Sequence, residues 1–360
     1  MTDQTRPSSK VREGWSGPGR KDGVISKVTP EDDSLHIDLG RKGMYEWWYF
    51  DARLEGDYTV VVFFHASNPN PGIAGKTGVE LVVVRPNGER TQRFIEYDRS
   101  RFSASREKPE VTVGDNSLRV DYSTPELPVY EVHVDEGDLR FDLTYTSEVH
   151  GWKPGDGYSH FGDLGYFAWV VPFPRARVEG TVRIGDECID ARGVGYHDHN
   201  WLNFQFPRII EYWMWGRIYS ETLTVCYAFI QCNKKVDRHA VKVLMAARNE
   251  KVVLSTGEFD FIPEGLEYDD RPRHSYPKSL KLTAPDQIDV SMNVRKVLEA
   301  EDLLENFPPL LRFLAKYLLR LKPGYFRLLS DFEIELMVGG DPCKEQGRTL
   351  HEIVAFKPIT

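Results

Sequence analysis

The sequence predicts an all-β protein of two antiparallel barrels in tandem, and three observations carry this. Short runs of alternating apolar and polar residues recur from Tyr45 to the end of the chain, separated by Gly, Pro, Asn and Asp. At 360 residues the chain exceeds the usual size of one core, so two domains are the default. Each half offers roughly eight strands, the number that closes into a barrel just wide enough for side chains or one small ligand.

Residues 1–25 are polar and rich in Gly, Pro, Ser, Lys and Arg, and are expected to form a flexible arm. Residues 26–185 are assigned to the first barrel and 186–360 to the second. In YEWWYFDARL, alternation puts Tyr45, Trp47, Tyr49 and Asp51 on one face and Glu46, Trp48 and Phe50 on the other. Both faces are aromatic, so this strand is expected to be covered on both sides. Its partner YTVVVFFHA places Thr59, Val61, Phe63 and His65 together. NPNPGIAGKTG is a turn-rich loop, and Pro86-Asn87-Gly88 centres a hairpin. SLRVDYS, YEVHVDEGDLRFDLTYTSEV, GYFAWVVPFPRARVEG and RVEGTVRIGDECIDARGVGYH continue the strand pattern. The second half repeats it in TLTVCYAFIQC, HAVKVLMAA, KVVLSTGEFDFI, DVSMNVRKVLEAE, DFEIELMVGG and TLHEIVAFKP.

One helix is expected, near 303–321. Leu310, Leu314, Tyr317, Leu318 and Leu321 follow helical spacing, Pro308-Pro309 suit its start and Pro323-Gly324 its end. Arg312, Lys316 and Arg320 form a basic stripe that offers a peripheral contact with anionic lipid, beside the plainer reading of a solvated face.

Composition removes several function classes. The net charge is −9, and no basic patch with interleaved aromatics argues for nucleic acid. The four cysteines lack C-x-x-C spacing, so free buried thiols are expected. The N-terminal residues have no apolar signal-like core, and no apolar stretch approaches the length of a membrane-spanning helix. The expected compartment is the cytoplasm. No Walker loop, G-x-S-x-G or H-E-x-x-H is present in the sequence.

The chemistry concentrates in Gly193 to Tyr219, GVGYHDHNWLNFQFPRIIEYWMWGRIY. Extended, HDHNW puts His197, His199 and Trp201 on one face and Asp198 and Asn200 on the other. The next run sets Glu211, Trp213, Trp215, Arg217 and Tyr219 against Tyr212, Met214 and Ile218. Groups that move protons are thus interleaved with large aromatic faces, a mixture suited to an apolar substrate. Two histidines at H-x-H spacing admit a metal reading completed by His65, His160 or Asp163, but a lone H-x-H is a weak signal.

YEWWYFDARL, FAWVVPFPRARVEGTV and GVGYHDHNW, spaced as they are, resemble the carotenoid 1,2-hydratase (hydroxyneurosporene synthase) and AttH-like superfamily. The resemblance covers about residues 35–358 and implies two lipocalin-like barrels with no metal and no cofactor. It also implies an enzyme that hydrates an alkene of an apolar polyene, a cyclase of Diels–Alderase type, or a protein without chemistry. In the hydratase pattern a histidine and a tryptophan, matched here by His199 and Trp201, act with a Tyr and an Asp on the next strand. LTVCYAFIQC supplies Tyr227 but no carboxylate, a departure that favours cyclisation or binding.

Protonating an alkene needs a neutral acid beside apolar substrate, and aromatic faces to stabilise a cation. Glu46, Asp198 and Glu211 are the candidate acids. His199 and Tyr227 are the other candidate catalytic groups. Trp47, Trp201, Trp213, Trp215 and His65 are the candidate substrate-binding residues. Each also has a purely structural reading: Asp198 capping backbone amides, Glu211 pairing with Arg217, Glu46 bonded to Arg177, the aromatics filling barrel cores. The sequence leads to the expectation of a cofactor-independent enzyme acting on a hydrophobic small molecule. A non-catalytic carrier of such a lipid or isoprenoid is the alternative, and the oligomeric state is left open.

Overall fold

The computed structural model describes residues 10–16, 25–70, 72–304 and 323–359. It contains two barrel-like antiparallel sheets, the tandem lipocalin-like arrangement, and no helix of seven residues or more among the described residues. The expected helix near 303–321, with its basic stripe, lies almost wholly outside the described residues.

The chain divides into two compact units: residues 26–158 with 165–204, and residues 1–25 with 159–164 and 205–360. In the first unit the strands run, in spatial order, Arg90–Tyr97, Thr77–Val84, Thr59–Ser67, Tyr45–Leu54, Glu187–Leu202, Tyr166–Ile184, Leu139–Ser147, Val129–Glu136 and Asn116–Asp121, then the short Val111–Val113 and Phe102–Ala104. The division falls after Phe204, not near 185. Glu187–Leu202 pairs with Tyr166–Ile184 on one side, and its second half, from Gly193 to Leu202, pairs with Tyr45–Leu54 on the other, so HDHNW belongs to the first barrel. A boundary placed at a turn overlooked that this hairpin partner returns through the same sheet.

Alternation sets the inward face as expected. Trp48, Phe50, Val62, Phe64, Tyr145 and Phe173 pack into one core, with Phe50 5.5 Å from Tyr145 and 6.0 Å from Phe173. Burying each such ring contributes about 2–3 kcal/mol before entropy is counted. The glycines of GVGYH serve this packing. A Cβ on Gly193 would stand 2.0 Å from the Arg53 carbonyl oxygen, and one on Gly195 2.5 Å from the Tyr145 ring. The strand can therefore approach its neighbours closely just before the histidines.

In the second unit the order is Lys251–Thr256, Ala240–Arg248, Leu223–Cys232, Ile210–Tyr219, Cys343–Ala355, Gly324–Leu336, Ile288–Asp302, His274–Ala284 and Asp260–Asp269. Tyr212, Met214 and Ile218 are buried in its cores, as alternation predicts. Part of the expected flexible arm is ordered against this unit. Trp15 is fully buried, its ring against Gly257, and its indole donates to Glu13, which also meets His239 Nε2 at 2.7 Å. The polar composition of residues 1–25 hides one aromatic anchor and the buried Glu13–His239 contact beside it.

Candidate functional site

The interior of the first barrel is not purely apolar. Glu46 and Trp48 on one strand and His197, His199 and Trp201 on its neighbour project inward, because the register sets His199 opposite Trp48 and Trp201 opposite Glu46. Asp33 joins them from a short 3-10 turn, Pro30–Asp33. Thr29 and Asp32 hold that turn through a capping box, and Lys153 clamps Asp32 at 2.7 Å. Trp48 Nε1 donates to the Asp33 carbonyl at 2.8 Å, which fixes the depth at which the carboxylate enters.

These groups form a connected chain of donors and acceptors. His199 Nε2 lies 2.9 Å from Glu46 Oε1, and His199 Nδ1 faces Asp33 Oδ1 at 3.3 Å, a charge contact off the angle of a hydrogen bond. His197 Nε2 stands 3.1 Å from Asp33 Oδ2. Its Nδ1 donates to the Tyr49 carbonyl at 2.9 Å, since a carbonyl can only accept. The Tyr130 hydroxyl donates to Asp33 at 2.8 Å. Glu46 also accepts from the backbone amides of His36 and Ile37, both at 2.8 Å. The loop crossing the barrel end is thereby tied to the same carboxylate.

Aromatic faces enclose the imidazoles. Trp48 stacks on His199 at 4.4 Å, Phe50 on His197 at 3.9 Å, and Trp201 on His36 at 3.7 Å. Glu46, Asp33, His197 and His199 are all fully buried. Burial pushes the Asp33 carboxyl up, but His197 and His199 outweigh it and hold the pKa down at about 2. Burial lowers the His199 pKa, yet the flanking Asp33 and Glu46 carboxylates lift it to about 9. His199 is therefore an imidazolium at neutral pH, lodged between two carboxylates and against an indole face. Burial and the neighbouring Asp33 drive the Tyr130 hydroxyl well above its usual range, so it stays a donor. The set can hold a proton on His199, pass it between His199 and Glu46 across their 2.9 Å contact, and face a developing cation with indole rings.

Of the residues singled out from sequence, Glu46, His199 and Trp201 meet here. Asp198 and Trp47 lie on the opposite face of the same two strands. Asp198 accepts from Trp169, Tyr196 and Asn200 at 3.0, 2.9 and 2.7 Å, and burial raises its pKa in spite of those donors. His65 shares that face and bonds Glu80 at 3.2 Å; His160 and Asp163 fall in the second unit, so none of these completes a set with His197 and His199. Glu46 is held by His199 and two amides, not by Arg177, which pairs with Glu179.

The remaining candidates belong to the second unit. Glu211 pairs with Arg238 and Lys357, at 3.3 and 3.4 Å, in place of the expected Arg217. Trp213 packs against Phe206 and Phe356, and Trp215 donates to Glu352 at 3.1 Å with Arg217 over its ring. Tyr227 is buried in the core and points its hydroxyl at Met292 Sδ. The sequence reading missed Asp33, His36, Trp48 and Tyr130 as site residues. PEDD after Thr29 reads as a turn cap, and only tertiary folding brings its last carboxylate under a histidine 164 residues on.

Comparison with known proteins follows the same lines. A family model described as AttH-like matches residues 27–308. Hydroxyneurosporene dehydrogenase of Chlorobaculum tepidum is 26% identical over 229 residues, 52% of this chain and 57% of that protein. The ceramide-binding protein SVF1 of Yarrowia lipolytica is 21% identical over 259 residues, 66% of this chain and 65% of that one. The chain thus spans less than two thirds of the length of these curated relatives. Kievitone hydratase from Nectria haematococca superposes with a TM-score of 0.53 at 17% identity, over 92% of this chain and 97% of the other. CghA with Sch210972 gives 0.58 at 12% identity, over 97% and 98%. At these identities the likeness is one of fold. The span of the family match, most of the chain, shows that this protein belongs to the AttH-like family.

Proposed function

We propose that the protein is a cofactor-independent enzyme that hydrates or cyclises an apolar polyene or isoprenoid, with His199 and Glu46 as its proton-handling pair. The observation that carries this is the imidazolium of His199 between Glu46 and Asp33, walled by Trp48 and Trp201. Packing alone does not call for these charges, because well-packed apolar residues in place of a buried ion pair are often as stabilising or more so. In hydration, one proton passes to an alkene carbon, water adds to the cationic carbon, and that water's extra proton returns to the depleted imidazole–carboxylate pair. Indole faces stabilise the cation between those steps. In cyclisation the same donors polarise a substrate carbonyl while the aromatic walls hold the reacting ends together. Asp198, Glu211, Tyr227, Trp47, Trp213, Trp215 and His65 are assigned supporting roles outside this constellation.

A carrier is the second reading, favoured by the relative named for ceramide binding. Incubating the protein with acyclic polyenes in 18O-labelled water separates the outcomes. A labelled alcohol identifies hydration, an isomer of unchanged mass identifies cyclisation, and unchanged polyene that co-purifies with the protein identifies a carrier and defeats the enzyme reading.

A further inference from the structure

Glu46, Asp33, His197 and His199 are sealed inside the first barrel, yet a proton spent there has to be replaced from water. His36 borders both this set and solvent. Its ring lies flat on Trp201, with centroids 3.7 Å apart and planes 4° apart, and its centroid is 5.6 Å from that of His199. Its backbone amide donates to Glu46 at 2.8 Å. Arg106 donates to the Leu35 and Ile37 carbonyls on either side, at 3.1 and 2.7 Å. The ring is thus held in place while the residue stays partly exposed.

The tautomer of His36 is fixed. Nε2 stands 3.0 Å from the Asp32 carbonyl, which can only accept, so Nε2 carries the ring hydrogen and the lone pair falls on Nδ1. Unlike Nδ1 of His199, Nδ1 of His36 is not among the buried atoms left without a partner, and no described residue bonds it. Burial and the charge of His199 hold the His36 pKa below the ordinary histidine value, against the pull of Glu46 and Asp32. A neutral imidazole therefore sits beside the His199 imidazolium, and environments that push two such groups apart divide the roles of base and acid between them. Tyr158, which accepts from the Trp201 indole, and Tyr166 are also partly exposed nearby. Burial raises both phenols, so neither is a base at neutral pH.

We infer that His36 is the base through which the buried His199–Glu46 pair exchanges protons with water, by way of its Nδ1. The inference rests on the enzyme reading above for the direction of flow. In hydration, the water that adds to the cationic carbon leaves a protonated oxygen there. That proton passes to His36 Nδ1, which frees the neutral alcohol. His36 then gives a proton to the His199–Glu46 pair, which lost one to the alkene, and returns to its neutral form. Transfer between the two rings is direct or through one water.

The test is nitrogen NMR of the full chain with 15N-labelled histidine, with water as the only exchange partner. At pH 7 the wild type is expected to show His36 protonated on Nε2 alone and His199 protonated on both nitrogens. Exchange of the His199 ring protons with water should slow as pH falls through the His36 pKa, where Nδ1 takes up its own proton. His36→Gln keeps a donor for the Asp32 carbonyl and removes the basic nitrogen. Exchange at His199 should slow in it by about tenfold or more, and added imidazole should restore part of the rate. A proton on His36 Nδ1 at pH 7, exchange that ignores the His36 titration, or an unchanged rate in His36→Gln would overturn the inference. The wild-type measurements stand even if the variant fails to fold. If exchange follows His36 while the wild type converts neither lycopene nor squalene in 18O-labelled water, the enzyme reading falls, and with it the direction of flow, while the exchange route stands. If the wild type hydrates either polyene and exchange ignores His36, the inference falls alone.

Discussion

Glu46 and His199 meet at 2.9 Å on neighbouring strands although 153 residues separate them in sequence, and both are fully buried. The same carboxylate receives the amides of His36 and Ile37, so one side chain joins a proton-bearing imidazole to the loop across the barrel end.

Removing that carboxylate should therefore destabilise the first barrel. Glu46→Ala leaves a buried imidazole and two amides without their acceptor, and is expected to cost about 3–5 kcal/mol. Glu46→Gln keeps an amide oxygen for one donor and should cost less. Urea midpoints for the two variants check the order. Equal and small losses would mean that the pair does not hold the loop.

The His199 contribution has a definite sign with pH. Its folded pKa, about 9, is above the unfolded value, so its stabilisation is fully present below about 6.5 and fades as pH rises through 9. In the second barrel, burial lowers the His351 pKa to about 4, so its share is present above about 6.5 and fades as pH falls through 4. Melting temperatures from pH 3 to pH 10 should fall at both ends. The alkaline decline should be reduced in His199→Gln, and an unchanged alkaline limb in that variant would refute the assignment.

Gly193→Ala tests the close approach ahead of the histidines. Its Cβ would press on the Arg53 carbonyl, a backbone atom that cannot rotate away. The expected loss is about 1–3 kcal/mol or more, read from a denaturation midpoint. A neutral substitution would show that the strand has room there.

Trp15→Ala addresses the anchored N-terminal segment. Truncating a fully buried indole should cost about 3–5 kcal/mol and release Glu13 from its donor. Faster hydrogen exchange is expected at Ala240–Arg248 and near Gly257. Unaltered exchange would contradict the burial of Trp15.

Much of this was legible in the sequence because strand alternation is a local property. The inward sets Glu46, Trp48, Phe50 and His197, His199, Trp201 follow directly from it. What alternation cannot supply is which carboxylate arrives from elsewhere. Asp33 sits in a turn whose local chemistry is already explained by capping, and Tyr130 looks like any inward tyrosine of YEVHV. The domain edge was misplaced for a related reason. Gly185-Asp186 marks a turn, and a turn inside one sheet reads the same as a turn between two. Trp213, Trp215 and Glu211 are grouped with the histidines by nearness in sequence, and Tyr227 by the family resemblance, but the chain passes from one unit to the other after Phe204.

The most direct test of the central claim compares wild type with His199→Gln on a polyene that the wild type converts, measuring product formed and polyene retained in the same sample. The account predicts that product formation falls by about a hundredfold or more, as for loss of a proton-transfer group, while retention of the polyene stays within a few-fold. Undiminished product formation in His199→Gln would contradict it.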